Sequence, residues 1–474
     1  MPTSSQKDAD KNQGERATKR RRLSPLWAAI ILLVLALIPL NIALSLALEP
    51  YGTQSELAWT DYRQAEDVDT LFIGTSASAN ALDPQAFDTV LGSHSYNLAT
   101  PSQSLHESLT AIKAVSKDHN LKRVVMLLGY ETMVIEPRFA YAVPFVQAKG
   151  LGERPLQAAV SMAELYTYDY YFTHACSLLG IFPWAYVHVD LTPSRITENV
   201  KNRLRYDVRE ASLAYARKYD PTWEYRGRGF GSYTDTLKAS DMSEGITSAS
   251  TEAPFSSENL KSLEQLCSWC HEQGIELYVF GAPYRPASVL VYGDQYPTRM
   301  EGLKEIIARH GAHFFDLNML RPDILSLSLS DFRDTRHLSS NGAPKATELV
   351  AQYIGQLERG ESIDSCFFGY DGASWQQWCN TIDFVDAVSY SSELVAGGGM
   401  EIVAKAYTGP NTPVEYRLDM HDPATGKWVT VQDWNDSPRF VLNDGSGHAH
   451  IRVYARAAGG QEDGDRYMEG TIVW

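Results

Sequence analysis

The chain has 474 residues, of which 44% are apolar, and a formal net charge of −16. This length allows two or three domains, and this apolar fraction is typical of globular proteins. The charge argues against nucleic acid as a partner, because duplex binding needs a basic surface. We therefore predict a globular protein that does not bind nucleic acid.

The first part of the chain has the pattern of a membrane anchor. Residues 1–25 are mostly polar, with a basic cluster just before the apolar run, and predict a disordered cytoplasmic tail. Residues 26–48, "LWAAIILLVLALIPLNIALSLAL", carry no charge over 23 positions, and a hydrocarbon core needs about 20 such residues. Because the basic residues precede this run, we predict a single-pass cell-membrane protein with a cytoplasmic N-terminus, which contacts the lipid bilayer through 26–48.

A cleaved signal peptide is the alternative interpretation of the same run. Ser45-Leu46-Ala47 would then supply the small residues of the cleavage site. The apolar regions of signal peptides usually have only about 7–15 residues, which favours the uncleaved anchor. Both interpretations place residues 50–474, including any catalytic domain, outside the cell.

Strand and helix patterns alternate between residues 66 and 358, apart from one interruption. Such alternation predicts an α/β domain with a parallel sheet and helices on both faces. The predicted strands are 69–74, 95–99, 123–130, 276–283 and 312–317, and the predicted helices are 104–120, 257–274, 298–310 and 341–360.

Three further segments differ from this α/β pattern. Residues 132–256 are rich in aromatic side chains and predict a largely helical insertion, a lid or a substrate wall. Residues 359–380 are predicted to be a linker. Residues 381–474 alternate apolar and polar positions in short runs separated by turns, which predicts an Ig-like β-sandwich accessory domain. This domain would either bind glycan or act as a spacer.

The stretch "FIGTSASAN", residues 72–80, contains the candidate nucleophile. Ser76 comes just after the carboxyl end of the first predicted strand, where parallel sheets bind their ligands. A serine hydroxyl is a weak nucleophile that needs a base, usually His, and a third group that holds the base. The alternative is that Ser76 only caps the following helix, as serines at such corners commonly do.

The stretch "DFRDTRHLSSNGAPKATELV", residues 331–350, contains the candidate partners. Asp334 and His337 lie three residues apart, in a loop that precedes the last helix of the α/β domain. This spacing lets the carboxylate orient the imidazole while the second ring nitrogen faces a pocket. The alternative is that Asp334 caps a turn and that His337 is an ordinary surface residue.

Together the two motifs resemble those of the SGNH (GDSL-type) hydrolase superfamily, which has G-D-S-x-S after its first strand and D-x-x-H before its final helix. This chain has "GTSAS" at 74–78 and "DTRH" at 334–337. The segments "LFIGTSASANALDPQAFD", "YNLATPSQSLHES" and "DTRHLSSNGA" are similar to the membrane-anchored branch of the superfamily. That branch includes the D-alanine transfer protein of teichoic acids and alginate O-acetyltransferases.

The resemblance implies a flavodoxin-like parallel sheet and a serine esterase or O-acyltransferase that works through an acyl-serine. Ser76 would be the nucleophile, His337 the base, and Asp334 the residue that orients the base. The implied partners are a cell-surface polysaccharide or teichoic-acid-like polymer and a membrane-bound acyl-donor protein, and no metal or cofactor is implied. Hydrolysis and acyl transfer both stay open, because they differ only in the acceptor that reaches the acyl-serine.

The chain departs from the superfamily at three positions. Thr75 stands in place of Asp, Ala99 in place of the Gly of the second motif, and Glu131 in place of the Asn of the third. A carboxylate cannot donate a hydrogen bond, so Asn97 and Ala99 are the candidate oxyanion donors beside the Ser76 N–H. Thr75 is common in the membrane-anchored branch, but the Glu131 departure also favours an alternative function, that of a catalytically weak or inactive SGNH-fold protein that serves as a surface glycan-binding or scaffold module.

Overall fold

The computed structural model describes residues 24–48, 51–150, 155–174, 192–243, 246, 253–395, 398–443, 447–460 and 466–474. Most of the predicted cytoplasmic tail lies outside these ranges. The uncharged run forms the helix Pro25–Leu48, on which apolar side chains such as Leu26 and Leu32 are exposed. Within the described ranges, a search for a helix with the length and hydropathy of a membrane span finds none.

A five-stranded parallel sheet forms the centre of the α/β domain. The strands up to the end of this domain are β1 (Thr70–Gly74), β2 (Ser95–Asn97), β3 (Arg123–Leu128), β4 (Trp223–Gly227), β5 (Phe230–Tyr233), β6 (Glu276–Gly281) and β7 (His313–Asp316). The sheet has the strand order β2-β1-β3-β6-β7, which is the doubly wound order of flavodoxin-like sheets. The predicted α/β architecture is thus confirmed.

Helices cover both faces of the sheet because successive strand residues point to opposite faces. In β1, Leu71 and Ile73 belong to one apolar cluster and Phe72 to another. The first cluster includes residues of the helices Leu105–Asp118, Ser257–Glu272 and Gln295–Arg309. The second includes residues of Pro84–Leu91 and Gly342–Glu358. The shorter helices of this domain are Gln54–Tyr62, Ser76–Ala81, Tyr130–Val134 and Pro286–Leu290.

The insertion between β3 and β6 is mostly helical where the structure describes it, as the sequence predicts. Its helices are Phe139–Gly150, Pro155–Thr167, Asp169–His174, Pro193–Arg205 and Val208–Tyr219. The glycine-rich stretch 225–233 instead belongs to the antiparallel hairpin β4–β5, which the sequence analysis does not predict. The hairpin contacts the loop 331–341, because the Ser340 N–H donates to the Tyr233 carbonyl at 2.7 Å.

The remaining residues form a connecting helix and two antiparallel sheets. The segment predicted as a linker contains the helix Gly372–Asn380, whose Trp375 and Trp378 are buried in the first apolar cluster of the α/β domain. The strands of these sheets are β8 (Ala387–Val395), β9 (Gly399–Tyr407), β10 (Val414–Asp422), β11 (Lys427–Asn435), β12 (Arg439–Leu442), β13 (His448–Ala457) and β14 (Arg466–Val473). The two sheets have the orders β11-β10-β13-β14 and β12-β9-β8.

Candidate active site

Ser76 is the first residue of the helix that follows β1. The turn between strand and helix needs glycine at residue 74, where φ is +116° and a Cβ would lie 2.8 Å from the Ser78 Oγ. The helix is capped by Thr75, whose side chain accepts a hydrogen bond from the Ala77 N–H at 3.4 Å. The interpretation of Ser76 as the helix cap is therefore wrong, and its hydroxyl has another partner.

That partner is His337, although the two residues are 261 positions apart in the chain. The Ser76 Oγ and the His337 Nε2 are 2.7 Å apart, which is hydrogen-bond distance. The other ring nitrogen, His337 Nδ1, lies 2.8 Å from Asp334 Oδ2 and 3.0 Å from Asp334 Oδ1. The structure thus brings the three predicted residues together in the order hydroxyl, imidazole, carboxylate.

The backbone of the 331–341 loop gives Asp334 and His337 this geometry. Phe332 and Leu338 pair across the loop as an antiparallel bridge, and the Arg333 N–H donates to the His337 carbonyl at 2.9 Å. The chain between them therefore forms a tight turn. Inside the turn, the N–H groups of Arg336 and His337 each donate to Asp334 Oδ1 at 2.9 Å, which fixes the orientation of the carboxylate.

The electrostatics of Asp334 favour its ionised form. Partial burial by itself raises the pKa of this carboxyl. The hydrogen bond and charge of His337, together with the two backbone N–H donors, outweigh burial and hold the pKa of Asp334 below its usual value. Asp334 is therefore a carboxylate at neutral pH, which suits a residue that orients an imidazole and stabilises its protonated form.

The hydroxyl and the imidazole line a cavity of about 330 Å³, into which a small acyl group would fit. Ser102 lines the same cavity from the turn after β2, with φ of +57° next to Pro101. Among the described residues, no acceptor pairs with the N–H of Ser76 or of Ser102. The other lining residues include Thr75, Gln103, Glu131, Thr132, Arg138, Tyr141, Tyr284 and Arg336.

The structure does not support Asn97 and Ala99 as oxyanion donors. Asn97 is fully buried, and its amide group donates to the carbonyls of Ser78 at 3.1 Å and Leu82 at 2.9 Å. The Ala99 N–H donates to the Asn97 side-chain oxygen at 3.0 Å. Because these donors are already paired, and neither residue lines the cavity, both predictions are corrected. Asn97 instead holds the first helix after β1 against β2.

Glu131 lies at the cavity as an acceptor, as the sequence predicts for a carboxylate at this position. Tyr284 donates to its Oε2 at 2.7 Å, and Tyr292 donates to its Oε1 at 2.5 Å. Arg336 forms an ion pair with it, at 3.2 Å between Nε and Oε1. Burial and the Glu131 charge raise the pKa of both tyrosines, so their hydroxyls stay protonated and donate. This network ties the 331–341 loop to the chain that follows β3.

The sequence gives only weak signals that Ser102 belongs to the site. Pro101 followed by Ser102 is compatible with the two central positions of a β-turn, and the Gln103 N–H closes that turn on the Thr100 carbonyl at 3.1 Å. A positive φ at a serine is uncommon, so no pattern of residue types would have predicted this conformation at the wall of the cavity.

Comparison of the chain with known protein families finds no matching family. Comparison with curated proteins also finds no match. A function for the chain is therefore proposed from the geometry of the site and from the motifs in its sequence.

Proposed function

We propose that this protein is an extracytoplasmic serine esterase or O-acyltransferase of the SGNH type. The observation that carries the proposal is the contact of 2.7 Å between Ser76 Oγ and His337 Nε2, with Asp334 behind the imidazole and a cavity beside the hydroxyl. A serine that only supported the fold would need neither a base nor an open cavity. The flavodoxin-like strand order and the two sequence motifs support assignment to this superfamily.

The proposed reaction has two stages. In the first, Ser76 Oγ attacks the carbonyl carbon of an ester, and His337 Nε2 takes the hydroxyl proton. The C–O bond of the ester then breaks, and the imidazolium returns the proton to the leaving alcohol. In the second stage, His337 takes a proton from water or from a hydroxyl acceptor, whose oxygen attacks the acyl carbon. The bond between that carbon and Ser76 Oγ then breaks, and the imidazolium returns the proton to Ser76 Oγ. The Ser76 N–H is placed to stabilise the oxyanion of both stages.

The proposed substrate is a cell-surface polysaccharide or teichoic-acid-like polymer, with acyl groups supplied by a membrane-bound donor protein. Polar side chains on the cavity wall, among them Ser102, Gln103 and Thr132, support a hydroxyl-rich substrate. The more specific assignment comes from the similarity of the motifs to the membrane-anchored branch. Acyl release from isolated cell-wall polymer, with the parent chain and with Ser76→Ala, tests this assignment.

Covalent labelling tests the proposed catalytic serine. We expect a fluorophosphonate probe to label the parent chain at Ser76, because the activated hydroxyl displaces fluoride from phosphorus. Labelling should disappear in Ser76→Ala and persist in Ser102→Ala, which removes another serine of the same cavity but keeps its backbone N–H. Mass spectrometry of the labelled peptide measures both. An unlabelled parent chain would instead favour the glycan-binding or scaffold alternative.

Membrane attachment is proposed on the uncharged run 26–48 alone. If this run is an uncleaved anchor, the full chain should stay in the membrane pellet after alkaline carbonate extraction, and a chain that begins at residue 50 should be released. Recovery of the full-length chain in the supernatant would contradict the anchor. Recovery of a chain shortened after residue 47 would instead support the cleaved signal peptide.

A further inference from the structure

A buried ion pair joins the β-sandwich to the α/β domain. Asp386, at the start of the sandwich, is fully buried, and Arg285, which follows β6, is 5% exposed. Arg285 Nε donates to Asp386 Oδ1 at 3.1 Å, and Arg285 Nη2 pairs with the same oxygen. Asp386 Oδ2 accepts the N–H of Ala287 at 2.8 Å. A residue of the sandwich therefore caps the helix Pro286–Leu290 of the α/β domain.

The same helical turn contacts the loop that holds the candidate base. The Arg285 N–H donates to the Thr335 carbonyl at 3.0 Å, and the Ser288 hydroxyl approaches that carbonyl at 3.4 Å. Thr335 is buried and lies in the tight turn between Asp334 and His337. A continuous set of polar contacts thus runs from Asp386 through Arg285 to the backbone between two residues of the proposed triad.

The surroundings of the pair indicate that it cannot be broken without movement. Arg285 Nη1 donates to the Leu327 carbonyl at 3.2 Å, and Arg466 of β14 donates to the Asp386 carbonyl at 2.9 Å. Loss of one partner would leave the other as a buried, uncompensated charge, which the structure would relieve by shifting toward water. Neither Arg285 nor Asp386 lines the cavity, so neither contacts a substrate there.

We propose that Arg285 and Asp386 are positioning residues, through which the sandwich completes the active site by holding the 331–341 loop in place. The proposal rests on the proposed function, and it gives the sandwich a role beyond that of a spacer or glycan-binding module. The pair fixes the turn that holds the Thr335 carbonyl. The position of this turn sets the distance from His337 to Ser76.

The test compares Asp386→Asn and Arg285→Lys with the parent, as full-length chains that hydrolyse p-nitrophenyl acetate. Active sites are titrated with a fluorophosphonate, so that kcat is expressed per reactive serine and unfolded molecules are not counted. A displacement of about 1 Å can lower a rate about a hundredfold. We therefore expect kcat per site to fall by about ten- to a hundredfold, with a smaller change in KM because neither Arg285 nor Asp386 lines the cavity.

The matched control is Arg439→Ala, which breaks an exposed ion pair of the same sandwich, with 3.0 Å between Arg439 Nη1 and Glu401 Oε1. This variant should keep the parent's kcat per site. If the Arg285–Asp386 pair only stabilises the fold, the two test variants should have fewer titratable sites than the parent but the same kcat per site. That result would overturn the proposal. Failure of both test variants to fold would also count against it, because the pair would then serve stability alone.

Hydrogen exchange supplies a measurement that does not depend on activity. In Asp386→Asn, the amides of residues 331–341 should exchange faster than in the parent, whereas Arg439→Ala should leave them unchanged. If the parent chain neither hydrolyses the ester nor reacts with the probe, the proposed function fails, yet the exchange experiment still decides whether the sandwich holds the loop. Unchanged exchange in Asp386→Asn would refute the structural link itself.

Discussion

Replacement of His337 by glutamine should lower the rate of acyl-serine formation by about 10⁶-fold, which is the scale of loss when the base of a serine triad is removed. Glutamine can hydrogen-bond to the Ser76 hydroxyl but cannot take its proton at neutral pH. Among the described residues, His337 is the one hydrogen-bond partner of the Ser76 hydroxyl, and its other ring nitrogen contacts Asp334. The rate of labelling by a fluorophosphonate probe and the rate of p-nitrophenyl acetate hydrolysis measure this loss.

Two comparisons make the His337→Gln experiment decisive. His313→Gln is the matched control, because His313 lies on the edge strand β7, stacked on Tyr278 and remote from the cavity lining. The double variant Ser76→Ala/His337→Gln should hydrolyse p-nitrophenyl acetate no more slowly than either single variant, because the effects of residues that act as a unit are not additive. A His337→Gln chain that keeps a rate within tenfold of the parent would show that another base serves Ser76.

The parts of the structure that the sequence predicts are those set by local patterns. The strands β1, β3 and β6 are apolar over nearly their whole length, as buried parallel strands are, so their positions follow from residue type. Asp334 and His337 could be paired in advance because three residues separate them within one turn. Their meeting with Ser76 could be expected because both motifs follow strands whose carboxyl ends lie at the same edge of a sheet.

The parts that the sequence does not predict depend on contacts between distant residues. Asn97 looked available for catalysis because its side chain is a good donor, but its two acceptors are carbonyls that only the folded chain brings near. The hairpin β4–β5 contains several glycines, which weaken any strand pattern, and it is supported by contacts such as the Asn97 N–H donating to the Arg228 carbonyl at 3.0 Å. Arg285 and Asp386 are 101 positions apart in different domains, so no local pattern links them.

Replacement of Asp334 by asparagine should lower the rate of acyl-serine formation by about 10⁴-fold, through the tautomer of His337. Two backbone N–H groups donate to Asp334 Oδ1, so the amide oxygen of asparagine would take that position. The NH₂ group would then replace Oδ2, which lies 2.8 Å from His337 Nδ1. Because the NH₂ group of asparagine is a donor, Nδ1 would have to accept from it, and the ring proton would move to Nε2. The imidazole could then no longer accept the proton of Ser76.

The matched control for Asp334→Asn is Asp331→Asn, in the same loop, whose carboxylate pairs with Lys345 at 2.7 Å and does not contact the imidazole. This control should keep the catalytic rate of its folded molecules.

A pH series then tests the charge of Asp334. Because the folded-state pKa of Asp334 is lowered, its contribution to stability is present above the unfolded pKa of about 3.9 and is lost as pH falls through the lower folded value. The difference in unfolding free energy between the parent and Asp334→Asn, from denaturant titrations, should therefore shrink as the pH falls below about 4. A difference that grew as the pH fell below about 4 would mean that the carboxyl is not held in its ionised form, and the change of tautomer would then not follow.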